Sequence, residues 1–449
     1  MTKTPNQINE RNIVLGMLLK VYDGVLSHIV LNETLAQYQL DNVQKSFITY
    51  LFKGTLEKQI ELDYIIDCFS KTKTKKMKPT IVAILRMSVF QLKYMDSVPA
   101  SAACNEAVKL ARKHKFAGLS GFVNGVLRNI ARNLDDVNYP TQYPTNLSVK
   151  YSIPEWIIIM WDEQYGKGTS TTILEGLSQK DISLRVNTSK ASLEDIVTNL
   201  EYNNVTVSHS DIVDTMLLVK DAGSLDNLDV FRAGFVTVQN ISSALVGLAA
   251  NPYADDYVID VCAAPGGKSV HMADIMLTKN SNGKGVVEAR DVSQTKVDLI
   301  KDTASRCRMG NVTYKVWDGT VFDKDSEAKA DIVLADVPCS GLGVIAGKSD
   351  IKYNTTKEGL DDLVKLQRKI VSNAVKYIKP GGKLIYSTCT VNKKENEENA
   401  KWIEEELKMK GIPLDYLPKE VASDQNYISI MPHDGMDGFF IAAFMKTDE

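Results

Sequence analysis

The sequence predicts an α/β protein: a doubly wound, mostly parallel sheet in the C-terminal half, preceded by an all-helical N-terminal domain and a small α+β unit. Three observations carry that expectation. From about residue 236 onward, near-continuous apolar segments of strand length alternate with helical segments, the pattern of a parallel sheet covered on both faces. Residues 1–134 carry apolar residues at three- and four-residue spacing, the helical period. Between them, from about 150 to 235, short alternating segments flank a helical one.

The elements follow in chain order. ERNIVLGMLLKVYDGV, QKSFITYLFKGTLEKQIELDYIIDCF, PTIVAILRMSVFQLKYM, SAACNEAVKLARKHK and GLSGFVNGVLRNIARNL are the N-terminal helical segments. KTKTKKMKP, Lys71 to Pro79, interrupts them as a basic loop, with five Lys, no periodicity and a closing Pro. NLDDVNYPTQYPTN (133–146) has two Pro and no apolar period, and reads as a linker. The expected divisions are therefore a helical domain at 1–134, a linker at 135–149, an α+β subdomain at 150–235 and the doubly wound domain at 236–449. In the α+β part PEWIIIMWDEQYG is helical. ISLRVNT, VTVSH and MLLVK alternate as strands, with the helix SLEDIVTNLEYN between the first two. In the last part the strands are DYVIDVC, KGVVEAR, VTYKVW, ADIVLAD, GKLIYST, YISIM and GFFIAAFMK. Among them fall the helices ALVGLAA, SVHMADIML, SQTKVDLIKDTASRCR, DDLVKLQRKIVSNAVKYI and KENEENAKWIEEELKMK.

Composition narrows the class. At 449 residues, 44% apolar and 24% charged, the chain is an ordinary globular protein of about two to four domains. No apolar run reaches the ~18 residues of a membrane span, and the polar start MTKTPNQINERN does not read as a signal peptide. The six cysteines stand far apart with no C-x-x-C pair, and the five His do not cluster with them. A disulfide framework and a metal site are both unexpected, and reduced thiols point to the cytoplasm. Charge is unevenly spread. Residues 1–134 hold 19 Lys+Arg against 10 Asp+Glu, a net +9, while the remainder holds 34 against 46, a net −12. A basic domain on an acidic body suggests a polyanionic partner.

The chemistry-bearing motifs fall at strand ends. YVIDVCAAPGGKS, Tyr257 to Ser269, is a strand, a Gly-rich turn and a helix start, and the first such turn of a doubly wound sheet faces a cofactor. Gly266 and Gly267 let the backbone approach a ligand. Asp291 ends the next strand, 24 residues after Gly267, where ribose hydroxyls are gripped. Asp318 ends the third and could meet an adenine amino group. No G-x-G-x-x-G follows the first strand and A-P-G-G-K is not a Walker loop, so a nucleoside fits and a dinucleotide does not. GLGVIAG, Gly341 to Gly347, reads as a plain loop. ADIVLADVPCSG places Asp336 and Cys339 just past the fourth strand, and LIYSTCTV places Cys389 just past the next.

Two thiols and an acid beside an adenosine pocket suit methylation of carbon 5 of a pyrimidine. That carbon is a weak nucleophile until a thiolate adds to carbon 6. An acid near ring nitrogen 3 stabilises the developing charge, and a base then removes the carbon 5 proton. By chemistry alone either thiol could attack and the other release.

DVCAAPGGKS, ADVPCSG and IYSTCTVNKKENE resemble the signature motifs of S-adenosylmethionine-dependent RNA 5-methylcytosine methyltransferases. CNEAVKLARK and FVNGVLRNIAR resemble the NusB fold. Together, over nearly the whole chain, they resemble the bacterial Sun/RsmB family, which methylates a cytidine of 16S ribosomal RNA. The resemblance implies a Rossmann-like methyltransferase domain behind a NusB-like RNA-binding domain, with S-adenosylmethionine as cofactor. It implies that Cys262, Ala263, Ala264, Pro265, Gly266, Gly267 and Lys268 hold the methionine and ribose parts of the cofactor, with Asp291 on the ribose and Asp318 on the adenine. Asp336 lies beside the methyl group and target base, Cys389 is the nucleophile and Cys339 assists release. The expected substrate is 16S rRNA, naked or in an early small-subunit particle, met by a cytoplasmic monomer with no membrane partner. The chain departs from the family where GVIAGKSDIKY replaces a basic stretch, leaving Lys348 and Lys352 for phosphates, and where Asn240 replaces an Asp. Two rivals stand beside this reading. A transfer-RNA 5-methylcytosine enzyme is disfavoured by the NusB-like start, and a non-catalytic RNA-binding module by the two cysteines.

Overall fold

Residues 9–132 form seven α-helices, Glu10–Tyr22, Ser27–Gln37, Asn42–Glu57, Gln59–Phe69, Pro79–Tyr94, Ala100–Lys113 and Ser120–Arg132, of which all but Ser27–Gln37 fall in the periodic segments of the sequence. The computed structural model describes residues 9–178, 182–433 and 435–447; the first eight residues of the polar start lie outside them. The chain divides into two compact units, 1–171 with 345–354, and 172–344 with 355–449.

In the first unit, Pro79–Tyr94 is the central helix, with ten buried residues from Ile81 to Gln91. Pro79 at its first position has a preset φ and no N–H to waste. Gly54 is required where the third helix crosses it, since a Cβ there would lie 2.0 Å from the Phe90 ring. Asp41 and Gln44 form a reciprocal capping box at the start of Asn42–Glu57. The expected linker is packed rather than free. The Tyr139 ring stacks on Tyr64, 5.9 Å between centroids, and Thr145–Tyr151 is helical. Two tyrosines without a period left no trace of this in the pattern.

The segment 345–354 belongs to this helical unit. Asp350 accepts the Ser27 hydroxyl at 2.5 Å and the Ser27 N–H at 3.1 Å. Lys352, expected to face phosphate, is 2% exposed and donates to the Glu57 carbonyl at 2.9 Å. Of the two lysines left in that stretch, only Lys348 is exposed. Lys352 reads as a surface charge only because its partner lies 295 residues away.

The second unit holds two sheets. The first consists of β1 (Ile182–Val186), β2 (Thr206–His209), β3 (Met216–Lys220) and β4 (Val236–Val238), antiparallel in the order β2-β3-β1-β4, with the helix Leu193–Tyr202. The sequence pattern missed β4, which is three residues long. The second sheet contains β5 (Tyr257–Asp260), β6 (Val286–Asp291), β7 (Val312–Val316), β8 (Ala330–Asp336), β9 (Ile378–Thr388), β10 (Lys410–Gly411), β11 (Tyr427–Ile430) and β12 (Phe439–Met445). Its order is β10-β12-β9-β8-β5-β6-β7, with β11 on β12. Strands β9, β8, β5, β6 and β7 are parallel, and β12 returns antiparallel on β9. Order reverses between β5 and β8, so their carboxyl ends open a crevice, the ligand position in such sheets. Apolar clusters cover both faces, one with Val258, Ile332 and Ile441, the other with Ile259, Val333 and Phe440. No described helix is long and apolar enough to cross a membrane.

Candidate active site

The Gly-rich turn after β5 is tied to β6 through the Ala263 N–H, which donates to the Arg290 carbonyl at 2.8 Å. Gly266 has φ +103°, where L side chains are strained, and a Cβ there would sit 3.1 Å from Ile300 Cα. The helix Gly267–Lys279 starts at once, so its N-terminus opens at the carboxyl edge of the sheet. A Cβ on Gly267 would meet nothing closer than Gln239 at 4.0 Å, which leaves open space above the turn. Cys262 is half-buried and Pro265 exposed, its carbonyl accepting from Thr303 Oγ1 at 2.7 Å. Asp291, last residue of β6, is 5% exposed. Its Oδ2 accepts the Ala264 N–H at 3.0 Å, and its Oδ1 accepts the Val292 N–H at 2.8 Å and Lys296 Nζ at 3.0 Å. Asp318 lies two residues beyond β7 and is exposed. The N–H of Thr320 at 2.8 Å holds its carboxyl below the usual range.

Parallel pairing of β8 with β9 sets Asp336 opposite Ser387. Asp336 accepts Ser387 Oγ at 2.7 Å on one oxygen and pairs with Lys268 Nζ at 2.7 Å on the other. Burial works against the Lys268 charge, but Asp336 outweighs it and lifts the ammonium above its ordinary value. The two cysteines, 50 residues apart in sequence, meet with their sulfurs 3.3 Å apart. The hydrogen bond with Cys389, then burial, push the Cys339 thiol well above the ordinary range. Around them the glycine loop is not plain. The Gly343 N–H donates to the Cys389 carbonyl at 3.2 Å and its carbonyl accepts the Gly438 N–H at 2.9 Å. A Cβ on Gly343 would overlap the Gly438 carbonyl at 2.0 Å, so only glycine admits this backbone approach.

Sequence reasoning missed Asp260, the last residue of β5. It is 1% exposed and accepts Ser269 Oγ at 2.6 Å. Burial pushes its carboxyl up to about 7, against the Ser269 bond and with help from Asp336. The carboxyl is protonated in both states below about pH 4; between about 4 and 7 only the folded protein keeps the proton. Its contribution to stability is therefore full below the unfolded value and lost as pH rises through about 7. Asp260→Asn should flatten the pH dependence of unfolding in that window by up to ~1.4 kcal/mol per pH unit. Denaturant titrations of both proteins across the window check this, and parallel curves would place the proton elsewhere.

Two polar residues of the small α+β unit lie in its interior. Arg185 is fully buried, with Nε donating to Gln239 Oε1 at 2.6 Å and a guanidinium nitrogen 3.5 Å from Asp274. Burial lowers it to about 10, with Asp274 opposing. Asn187 is equally buried and donates to the Gly234 carbonyl at 2.7 Å. They brace the small sheet, which alternation alone could not distinguish from an exposed polar face. The Asn at 240 has its own use. Its Oδ1 accepts the N–H groups of Ser242 and Asp437, and its Nδ2 donates to the Gly435 carbonyl at 3.0 Å, a bond an Asp carboxylate could not make. A cleft of about 900 Å³ between His209–Ile212 and Glu420–Met431 holds none of the residues above, so cavity size does not mark the chemistry. Among the described residues no group of three or more His, Cys, Asp or Glu could hold a metal.

Comparison with known proteins finds relatives over nearly the whole chain. Residues 247–445 match the family model for 16S rRNA methyltransferase RsmB/F, 8–132 the NusB family, and 153–226 the ferredoxin-like domain of RsmF/B-like methyltransferases. A probable ribosomal RNA small subunit methyltransferase B of Bacillus subtilis is 34% identical over 97% of this chain and 98% of its own length. Another probable one, from Synechocystis, is 30% identical over 93% and 95%. The crystal structure of PH0851 superposes with a TM-score of 0.80 at 25% identity, over 98% of this chain and 99% of that one. NSun6 from Pyrococcus horikoshii with SFG shares the fold over 66% of this chain and 99% of its own, at a TM-score of 0.55 and 22% identity. The NusB-like start, the ferredoxin-like unit and the methyltransferase sheet thus occur in one expected order, and the chain belongs to the ribosomal RNA small subunit methyltransferase B family.

Proposed function

We propose that this protein methylates carbon 5 of a cytidine in 16S ribosomal RNA, using Cys389 as a covalent catalyst. The pair of thiols 3.3 Å apart, at the sheet edge that carries the Lys268–Asp336 ion pair, is the observation that carries this reading. S-adenosylmethionine would supply an electrophilic methyl group. The residues fit it: open space above Gly267, a helix N-terminus suited to a carboxylate, and Asp291 at the neighbouring strand end.

Each step has a group of this chain. Cys389 adds through its thiolate to carbon 6, which makes carbon 5 nucleophilic. Asp336, oriented by Lys268 and Ser387, lies beside ring nitrogen 3 and, once it has taken up a proton, gives it to that nitrogen as negative charge develops there. In the resting pair the two sulfurs share a hydrogen bond that either can donate, and that bond, with burial, holds the Cys339 thiol well above its ordinary range. Once Cys389 is bonded to carbon, the Cys339 thiol gives its proton to solvent and is left as the thiolate base. It can then take the carbon 5 proton, the carbon 6–sulfur bond breaks, and Cys389 leaves as thiolate. Bisulfite sequencing of 16S rRNA from cells with and without the gene tests the reading. One cytidine should lose protection without the gene, and methylation confined to transfer RNA would refute the substrate.

The RNA surface is proposed on the helical unit. Lys71, Lys73, Lys75, Lys76 and Lys78 are all exposed around the short turn Thr74–Lys76. RNA affinity should fall steeply with salt, since each neutralised phosphate releases counterions. Changing the five to Gln should weaken binding. It should also flatten the slope of log affinity against log salt by up to ~0.7 for each phosphate left without its lysine. Filter binding across a salt series reads this. An unchanged slope would leave the loop a solvated turn.

A further inference from the structure

The motif that ends in ENE has no part in the chemistry above, yet its first Glu is among the most enclosed charges of the protein. Glu395 is fully buried. Its Oε1 accepts Ser340 Oγ at 2.5 Å and Asn392 Nδ2 at 2.9 Å. Its Oε2 accepts the Ser340 N–H at 2.9 Å and Gln367 Nε2 at 2.8 Å. Four donors therefore fill the four lone-pair positions of one carboxylate. Two of them come from the residue that follows Cys339. The residue before it is held by the same set, because Gln367 Nε2 also donates to the Pro338 carbonyl at 2.9 Å.

The network continues to the other thiol. Ser340 Oγ lies 2.7 Å from Thr390 Oγ1, next to Cys389. Asn396 reaches both sides of Cys389, accepting Thr388 Oγ1 at 2.5 Å and donating to the Thr390 carbonyl at 2.9 Å. Glu395 and Asn396 precede the helix Glu397–Leu407, although helical spacing had included them in it. Their side chains are thus turned from a helix surface into the floor of the two cysteine loops.

We infer that Glu395 is a positioning residue for Cys339, clamping the loop so that its thiol stands against Cys389 and the target carbon. The inference rests on the reading of Cys389 as nucleophile and Cys339 as release base. Glutamine is the informative replacement. It keeps the size but has one acceptor oxygen, and its amide would face two donors. The Cys339 loop then loses its anchor while the end of β9, held by its ladder to β8 and β12, keeps Cys389.

The test uses the full chain, small-subunit RNA and S-adenosylmethionine, with denaturing gels and methyl counting over time. Glu395→Gln should attack and methylate, but release slowly. A denaturant-resistant protein–RNA band should accumulate about tenfold above wild type, and Ser340→Ala, which removes one hydroxyl, should move the same way by less. In a Cys339→Ala background Glu395→Gln should add nothing to the band, because the residue acts through that thiol. A merely structural role would instead lower attack and release together, with no extra band. Equal loss of both, or wild-type turnover, overturns the inference. If Glu395→Gln fails to bind S-adenosylhomocysteine, Ser340→Ala decides: an enriched band supports the clamp and its absence overturns it. Cys389→Ala, run alongside, separates the two levels. A band in that variant would remove the nucleophile assignment, whereas a normal Glu395→Gln with an inert Cys389→Ala removes only the clamp.

Discussion

Cys389→Ala is expected to form no methylated product and no covalent RNA complex, whereas Cys339→Ala should trap the RNA as a stable adduct. On the proposed mechanism the two variants differ in kind, because the two sulfurs, though 3.3 Å apart, would serve different bonds. Without Cys389 nothing adds to carbon 6, and carbon 5 stays too weak a nucleophile to react. Without Cys339 the attack remains, and the methyl group still transfers. The carbon 5 proton then has no base, and elimination stalls with RNA bonded to Cys389. The double variant should give no adduct, since the attacking thiol is gone. Loss of Cys339 also removes its hydrogen bond with Cys389, so attack itself should slow somewhat. Denaturing gels of both single variants with substrate RNA and S-adenosylmethionine read the result. A stable adduct in Cys389→Ala but not in Cys339→Ala would exchange the roles.

Asp291→Ala should lower affinity for S-adenosylhomocysteine at least about tenfold. Hydrogen bonds to a charged acceptor contribute ~1.5–3 kcal/mol each, and about 1.4 kcal/mol is a factor of ten. The expected loss has two parts. One is the bonding to ribose hydroxyls. The other is internal, because Asp291 anchors the glycine turn through the Ala264 N–H and fixes the end of β6 through the Val292 N–H. Lys296, half-exposed, occupies the Oδ1 side and would have to share it with a ligand. The variant should therefore also unfold at lower temperature without ligand. Asp318→Ala, by contrast, removes an exposed carboxylate bonded to the nearby Thr320 N–H, and should cost less affinity and no stability. Calorimetry with S-adenosylhomocysteine separates them, and unchanged affinity in Asp291→Ala would show that the pocket is not at this turn.

Most of the fold was legible because its signals are local. Apolar runs bounded by turns gave β5 through β9, β11 and β12, and helical spacing gave the cores of the helices between them, since period reports which face an element buries. The grouping of the candidate site residues at one sheet edge was legible for a related reason. In a parallel sheet every strand end followed by a turn opens on the same edge, so strand order in the sequence already groups Gly266, Asp291, Asp336 and Cys389.

Other features needed the folded chain. Ser27–Gln37, Thr145–Tyr151 and β4 were too short or too irregular for a period to register. Arg185, Asn187 and Lys352 looked like surface polar groups, and Glu395 like part of a solvated helix. All four are buried with partners distant in sequence, Lys352 on Glu57, Glu395 on Ser340 and Gln367, Arg185 on Gln239 and Asn187 on Gly234, although both terminal guanidinium nitrogens of Arg185 and Oδ1 of Asn187 make no hydrogen bond. A sequence window shows a polar side chain but not its partner, so it cannot tell a solvated charge from a paired one. The sequence alone thus determined most of the elements, their order and the sheet edge on which the candidate site lies. The tertiary structure alone decided that β8 and β9 pair with Asp336 opposite Ser387, which brings two sulfurs 50 residues apart to 3.3 Å. Strand register is a long-range agreement between two segments, and neither segment encodes it by itself.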